Sequence, residues 1–272
     1  MNPLLRRIRN RIRGRRILSR EYPVDADDAY LVSYPKSGNT WSRFLIANCL
    51  KGEAKVDFAT IDRTVPDIYG ISQKDLTALP KPRILKSHEY FDPRYRRVIY
   101  LVRDPRSVAV SYYHHLIRVD RLDREMEFAR YLDGFLAGEY GRWGSWSQHV
   151  GSWLWALEND EDKIVVRYED LHADTLAQLR RMMNILDLSP DDTVLRRAIE
   201  NSSFERMRRI PLPRDHQHEQ TAGGQEAKTN EFVREGKTQG WKHSLSADDR
   251  ARIEGEFQAL MRRFGYLEDS IE

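Results

Sequence analysis

The 272-residue sequence predicts a three-layer α/β/α fold around a mostly parallel central sheet, and three observations carry that expectation. Short apolar runs alternate with amphipathic stretches, the first run closes on a Pro-Lys-Ser-Gly turn, and 40% of the residues are hydrophobic, enough for a sizeable core. Strands that alternate with helices connect through right-handed crossovers, which lay helices on both faces of a parallel sheet.

The elements follow in order. Residues 30–34 read as a strand closed by Pro35, Ser37, Gly38 and Asn39, after which Trp41, Phe44, Leu45 and Cys49 recur at helical spacing. Residues 83–87 and 97–102 read as the next strands, and Asp104-Pro105 then opens a helix through Val108, Tyr112 and Leu116, with proline where a first turn tolerates it. Residues 163–166 form a β-branched strand, and residues 175–186 and 193–199 form amphipathic helices. Residues 206–240 hold few periodic apolar positions and several Pro, Gly and His, so a long loop, functional or mobile, is expected. A helix over residues 247–264 closes the chain.

No Pro/Gly/Ser-rich linker divides the chain, so a single domain over residues 21–272 is expected behind a basic tail or amphipathic segment over residues 1–20. Arg6, Arg7, Arg9, Arg11, Arg13, Arg15, Arg16 and Arg20 crowd that segment, while the whole chain carries a formal charge of only +3. It has no apolar core of signal-peptide length. Leu4, Leu5, Ile8 and Ile12 recur among the arginines at helical spacing, which suits peripheral contact with an anionic membrane; transient nucleic-acid contact and a plain disordered tail are the alternatives. No apolar run approaches the roughly 20 residues needed to span a bilayer, so a soluble, cytoplasmic protein is expected. The single cysteine, Cys49, excludes an intramolecular disulfide framework and reads as a buried, inert thiol.

The segment Tyr34-Pro35-Lys36-Ser37-Gly38-Asn39-Thr40-Trp41 carries the chemistry. A loop between a parallel strand and a helix presents free backbone N–H groups at a helix N-terminus, which attract an anion before any side chain is counted. Gly38 lets the backbone approach an oxyanion closely, Lys36 adds a mobile positive charge, and Ser37, Asn39 and Thr40 add short donors. The nucleotide-triphosphatase loop needs Gly, four residues, then Gly-Lys-Ser/Thr, whereas here the lysine precedes the glycine. A P-loop-like nucleotide kinase is therefore the weaker alternative.

This loop resembles the donor-phosphate loop of the sulfotransferase family, Tyr-Pro-Lys-Ser-Gly-Thr-Thr-Trp, with Asn39 as the departure. Arg103-Asp104-Pro105-Arg106-Ser107-Val108-Ala109-Val110-Ser111 resembles the family's 3'-phosphate signature, which implies that Arg103 and Ser111 hold that phosphate. Tyr168 aligns with a family tyrosine that contacts adenine, and Ser202-Ser203-Phe204 is similar to a Thr-Ser-Phe element whose ring packs on the base opposite the tryptophan matching Trp41. Phe232-Val233-Arg234-Glu235-Gly236 resembles the segment that closes over the 3'-phosphate, with Glu235 where relatives usually carry lysine. The resemblance implies a donor, 3'-phosphoadenosine 5'-phosphosulfate (PAPS), and a product, adenosine 3',5'-bisphosphate (PAP).

Transfer to a hydroxyl or amine needs a base, cationic stabilisation of the leaving phosphate and in-line geometry. Lys86-Ser87-His88 resembles the family's Lys-Thr-His, which implies His88 as base, with Lys36 and Lys86 stabilising the bridging oxygen. No metal is required, because a sulfuryl group carries less charge than a phosphoryl group. A catalytically silent nucleotide-binding regulator is the non-enzyme alternative, and Glu235 is its support.

Other clusters tempt. His114 and His115 are helical neighbours that diverge by about 100 degrees and do not share an ion readily. Asp215-His216-Gln217-His218-Glu219 reads as a solvated loop. Trp146, His149, Val150, Trp153, Leu154 and Leu157 line one helical face, and Gly144-Ser145-Trp146-Ser147-Gln148-His149-Val150 resembles the family helix bordering the acceptor pocket, so His149 is a candidate substrate contact. The acceptor, whether small molecule, lipid or sugar, is not named by these motifs, and no specific nucleic-acid partner is implied. The dimer segment of cytosolic relatives is missing after Trp241, where Ser244-Leu245-Ser246 stands, so the oligomeric state stays open.

Overall fold

The computed structural model describes residues 23–211 and 238–268. The Arg-rich segment 1–20, the His-x-His cluster at residues 215–219, and Phe232, Val233, Arg234, Glu235 and Gly236 lie outside the described residues.

Four strands, β1 (Ala29–Ser33), β2 (Ile84–Ser87), β3 (Arg97–Val102) and β4 (Lys163–Arg167), form one parallel sheet in the order β2-β1-β3-β4. Alternation along β1 sorts the core into two: Tyr30 and Val32 point to one face, Ala29 and Leu31 to the other. On the first face pack α4 (Pro105–Arg118), α5 (Phe128–Ala137), α6 (Trp146–Asn159), α11 (Ala247–Glu256) and α12 (Gln258–Arg263). On the second pack α1 (Asn39–Lys51), α2 (Phe58–Thr64), α8 (Thr175–Ile185), α9 (Asp192–Asn201) and α10 (Phe204–Arg208). Short helices α3 (Gln73–Ala78) and α7 (Tyr168–Ala173) complete the described helices. This is the three-layer fold the alternation predicts, with each strand boundary within one residue of the sequence reading.

Three details differ. The expected loop at residues 206–240 begins inside α10, because Ser203 caps that helix through the Arg206 N–H, and its far end is a 3-10 turn over Gly240–His243. The expected closing helix breaks at Phe257, whose ring is buried against Phe135 and Trp146, and α12 adds Met261 to the same core. Cys49 is half-buried rather than enclosed, and burial pushes its thiol up to about 11.

The amino-terminal edge of the sheet is closed by a buried ion pair. Arg83 Nη2 lies 2.5 Å from Asp28 Oδ2, its Nε donates to Oδ1 at 2.9 Å, and its Nη1 donates to the Leu76 carbonyl. Removing one partner leaves the other charge uncompensated in the core, which is far costlier than never having had the pair. Asp28→Ala should therefore lower unfolding free energy by about 3–5 kcal/mol, read as a reduced urea midpoint with unchanged slope.

Candidate active site

Parallel strands bring their carboxyl ends to one edge, and the candidate residues gather there. Val32 pairs with Ser87, and Ser33 with Leu101, so the segments after β1, β2 and β3 leave the sheet side by side. Tyr34 to Gly38 form the loop after β1, His88 follows β2, and Arg103 follows β3.

Two left-handed residues shape the loop: Lys36 with φ 69° and Gly38 with φ 95°. Lys36 holds this conformation without being glycine, and its carbonyl accepts from Arg103 Nη1 at 3.2 Å, which fixes it. Gly38 is required on two counts. Its φ suits glycine, and a Cβ there would lie 2.5 Å from Cδ2 of the Tyr168 ring. Gly38 also caps α1 without a side-chain hydrogen bond, so the first N–H groups of a 13-residue helix face the loop's concavity. The Ser37 hydroxyl is buried there and makes no hydrogen bond among the described residues. An oxyanion at the head of α1 would give this buried donor a partner. Thr40 is half-buried in the first turn of α1.

Asn39 departs from expectation. Its amide Nδ2 donates inward, to Ser33 Oγ at 3.1 Å and the Leu31 carbonyl at 3.4 Å, so its side chain braces β1 and leaves only its backbone N–H for an anion. Ser202 departs likewise. It is fully buried, its Oγ accepts from Asn48 Nδ2 at 3.0 Å and its carbonyl from Trp41 Nε1 at 3.1 Å, so both groups brace α1.

An aromatic cluster lies beside the loop. Trp41 contacts Phe204 with centroids 5.0 Å apart and tilted 38°, and meets Tyr168 edge-on at 5.8 Å. The Arg103 guanidinium stacks over Tyr168 at 4.2 Å. A base held between two rings needs them ~7 Å apart, twice a van der Waals contact, so Trp41 and Phe204 touch each other here instead of flanking a gap. The exposed His172 joins the cluster, stacked on Phe204 at 6.2 Å; nothing in the sequence pattern singled it out. Ser111 is half-buried on α4, two turns in from Asp104, and at the start of that helix Ser107 Oγ donates to the carbonyl of Thr238.

The histidine is held tightly. His88 Nδ1 lies 2.6 Å from the Ser33 carbonyl, which can only accept, so the ring hydrogen sits on Nδ1 and the lone pair on Nε2. Burial, then the Lys86 ammonium, holds the His88 pKa well below its ordinary 6.5, so the ring is neutral at neutral pH. Tyr69 stacks parallel to it at 6.2 Å, and Trp143 meets it edge-on at 5.6 Å. The Arg142 guanidinium lies over both of those rings, at 4.6 Å and 4.5 Å.

Helix α6 clamps the backbone after β2. His149 Nε2 donates to the His88 carbonyl at 3.0 Å, Trp153 Nε1 donates to the Glu89 carbonyl at 3.1 Å, and Phe91 N–H donates to Ser152 Oγ at 3.2 Å. His149, the candidate substrate contact, is engaged at both ring nitrogens. It is fully buried, its Nδ1 accepts from Tyr100 Oη at 2.9 Å, and burial lowers its pKa to about 4, so both ring nitrogens are spent on structure. Lys86 Nζ is 2.6 Å from Asp67 Oδ2, a partner with no sequence signal. His114 is exposed while His115 turns inward and accepts from Arg118 at 2.9 Å, so the pair does not share a ligand. Among the described residues, no three His, Cys, Asp or Glu side chains are grouped so as to hold a metal ion, and no helix is long and apolar enough to cross a membrane.

By fold and by loop this is a parallel α/β protein built to receive an oxyanion at the head of α1. Residues 26–265 match the sulfotransferase domain family. The chain is 28% identical to Sulfotransferase 1B1 of Mus musculus over 89% of this chain and 85% of that protein. It is 25% identical to the amine sulfotransferase of Oryctolagus cuniculus, over 90% and 84% of the two chains. Its fold superposes on mouse sulfotransferase SULT7A1 complexed with PAP at a TM-score of 0.67, with 22% identity and 89% and 87% of the two chains covered. The chain belongs to the sulfotransferase domain family and is a PAPS-dependent sulfotransferase.

Gly38→Ala should strain the loop and push the Tyr168 ring aside together. The expected result is at least a tenfold (~1.4 kcal/mol) loss of PAP affinity by calorimetry, with far-UV circular dichroism unchanged.

Proposed function

We propose that the chain moves the sulfuryl group of PAPS to a hydroxyl or amine of a small-molecule acceptor, with His88 as the base. One observation carries the reading: the hydrogen bond from Nδ1 to the Ser33 carbonyl leaves a neutral imidazole with its Nε2 lone pair available. Nε2 makes no hydrogen bond among the described residues, and the Tyr69 and Trp143 rings flank it, which suits an acceptor with an apolar face.

In the proposed reaction the acceptor oxygen, or nitrogen, forms a bond to sulfur while the bond from sulfur to the 5'-phosphate oxygen breaks. The acceptor proton passes to His88 Nε2, and the electron pair of the broken bond leaves on PAP. Lys36 and Lys86 stabilise charge on the departing oxygen. The Ser37 hydroxyl and the first N–H groups of α1, including those of Asn39 and Thr40, take the 5'-phosphate. Arg103 and Ser111 take the 3'-phosphate, together with Arg234 and the Gly236 N–H of the 232–236 segment, in which Phe232 and Val233 also fall. Trp41, Phe204 and Tyr168 form the nucleoside end.

Incubating labelled PAPS with a cell extract and the protein should give a labelled product whose identification names the acceptor. His88→Ala should abolish that product while PAP affinity changes less than threefold; a comparable loss of PAP binding would make His88 structural. Because the His88 pKa is depressed, the base stays neutral as pH falls through 6.5, so the acid limb of the kcat/KM profile should lie below pH 6.5.

A further inference from the structure

Residues 66–71 run alongside the end of β2 as a strap. Lys86 N–H donates to the Pro66 carbonyl at 2.9 Å and Ile68 N–H donates to the Lys86 carbonyl at 3.2 Å, an isolated parallel bridge between Asp67 and Lys86. Arg43 of α1 fixes the chain leading into it, donating to the Val65 carbonyl at 2.8 Å and pairing with Asp62 at 2.5 Å. Asp67 is held at both oxygens: Oδ1 accepts from the Tyr69 N–H at 3.0 Å, and Oδ2 faces Lys86 Nζ at 2.6 Å. Two residues on, the Tyr69 hydroxyl accepts from the His88 N–H at 2.8 Å and donates to Glu89 Oε1 at 3.0 Å, while the Lys86 ammonium lies over the Tyr69 ring at 5.1 Å. One short segment therefore grips both the lysine and the histidine.

From this geometry we infer that Asp67 is a positioning residue that keeps Lys86 a cation beside a neutral His88. The inference rests on the reading of Lys86 and His88 as the transfer pair. Lys86 faces Asp67 from the strap, Arg43 from α1 and Asp62 from α2; His88 faces Lys86, Asp67 and His149 of α6. Burial works against charge on Lys86, and the carboxylate opposes that effect directly. The same carboxylate favours a proton on His88, while the lysine it holds disfavours one. Without Asp67 both groups lose a favourable charge, so both should give up their protons at lower pH. Lys86 would then lose its charge at a lower pH than in the wild-type protein, narrowing the range in which it can stabilise a departing oxyanion, while at the still lower pH where His88 titrates it remains a cation.

Asp67→Asn keeps an oxygen for the Tyr69 N–H and removes the charge, and Asp67→Glu restores it. In protein labelled with ¹³C at lysine and histidine, with signals assigned through Lys86→Met and His88→Ala, the titration midpoints are read by NMR. Asp67→Asn should lower the Lys86 midpoint by about 1–3 pH units and move the His88 midpoint down with it, with Asp67→Glu recovering at least half of each shift. PAP affinity should change less than threefold. Midpoints unchanged in a folded Asp67→Asn protein would overturn the inference, as would equal shifts in the asparagine and glutamate variants. The midpoints are read without an acceptor, so failure of the transfer assay and failure of this inference remain separate results.

Discussion

The hydrogen bond from the His88 ring to the Ser33 carbonyl joins two neighbouring strand ends, and the site depends on it. It is possible only because β1 and β2 are parallel and adjacent, with Val32 level with Ser87. An antiparallel pair would send one of these chain ends to the opposite edge of the sheet. The carbonyl also sets the tautomer, and through it which nitrogen can take a proton. Strand order, register and proton affinity are thus linked by one contact.

Around that contact, polar groups are buried only where partners await them. Helix α6 spends His149, Ser152 and Trp153 on the backbone of residues 88–91, a stretch with no neighbouring strand to satisfy it. Tyr100 on β3 completes the chain by donating to His149. A core histidine with both nitrogens engaged costs little to bury in its neutral form, whereas protonating it would cost an internal hydrogen bond and a buried charge. His149 is therefore a chemically quiet ring that supports the backbone carrying His88.

Much of this was legible in the sequence, for definite reasons. The strand, loop and helix around Lys36 show themselves because apolar period, proline and glycine change together within a few residues. The ends of β2 and β3 carried recognisable polar motifs at Lys86-Ser87-His88 and Arg103-Asp104-Pro105. What escaped reading has no period. Asp67 and Tyr69 act through a single bridge with β2, too short to leave an alternating pattern, and α2 and α3 are too short to establish a helical one. His149 was ambiguous because a residue on an apolar helical stripe reads alike whether it ends in a pocket or against a backbone carbonyl. The side-chain directions of Asn39 and Ser202 are hidden for a related reason: a short polar side chain beside a loop can turn either way, and here Ser33 and Asn48 decide the direction.

The contact between Trp41 and Phe204 has a consequence for selectivity. Trp41 is pinned through Nε1 to the Ser202 carbonyl, while Phe204 opens a five-residue helix and its ring has no polar atom to anchor it. A base entering the proposed nucleoside end exchanges one stacking contact for two, and its net gain is a difference between stacking energies rather than their sum. On the proposed reading, most of the free energy for holding a donor then comes from its charged groups at the loop. Nucleotides should be discriminated there by where their phosphates sit more than by which base they carry.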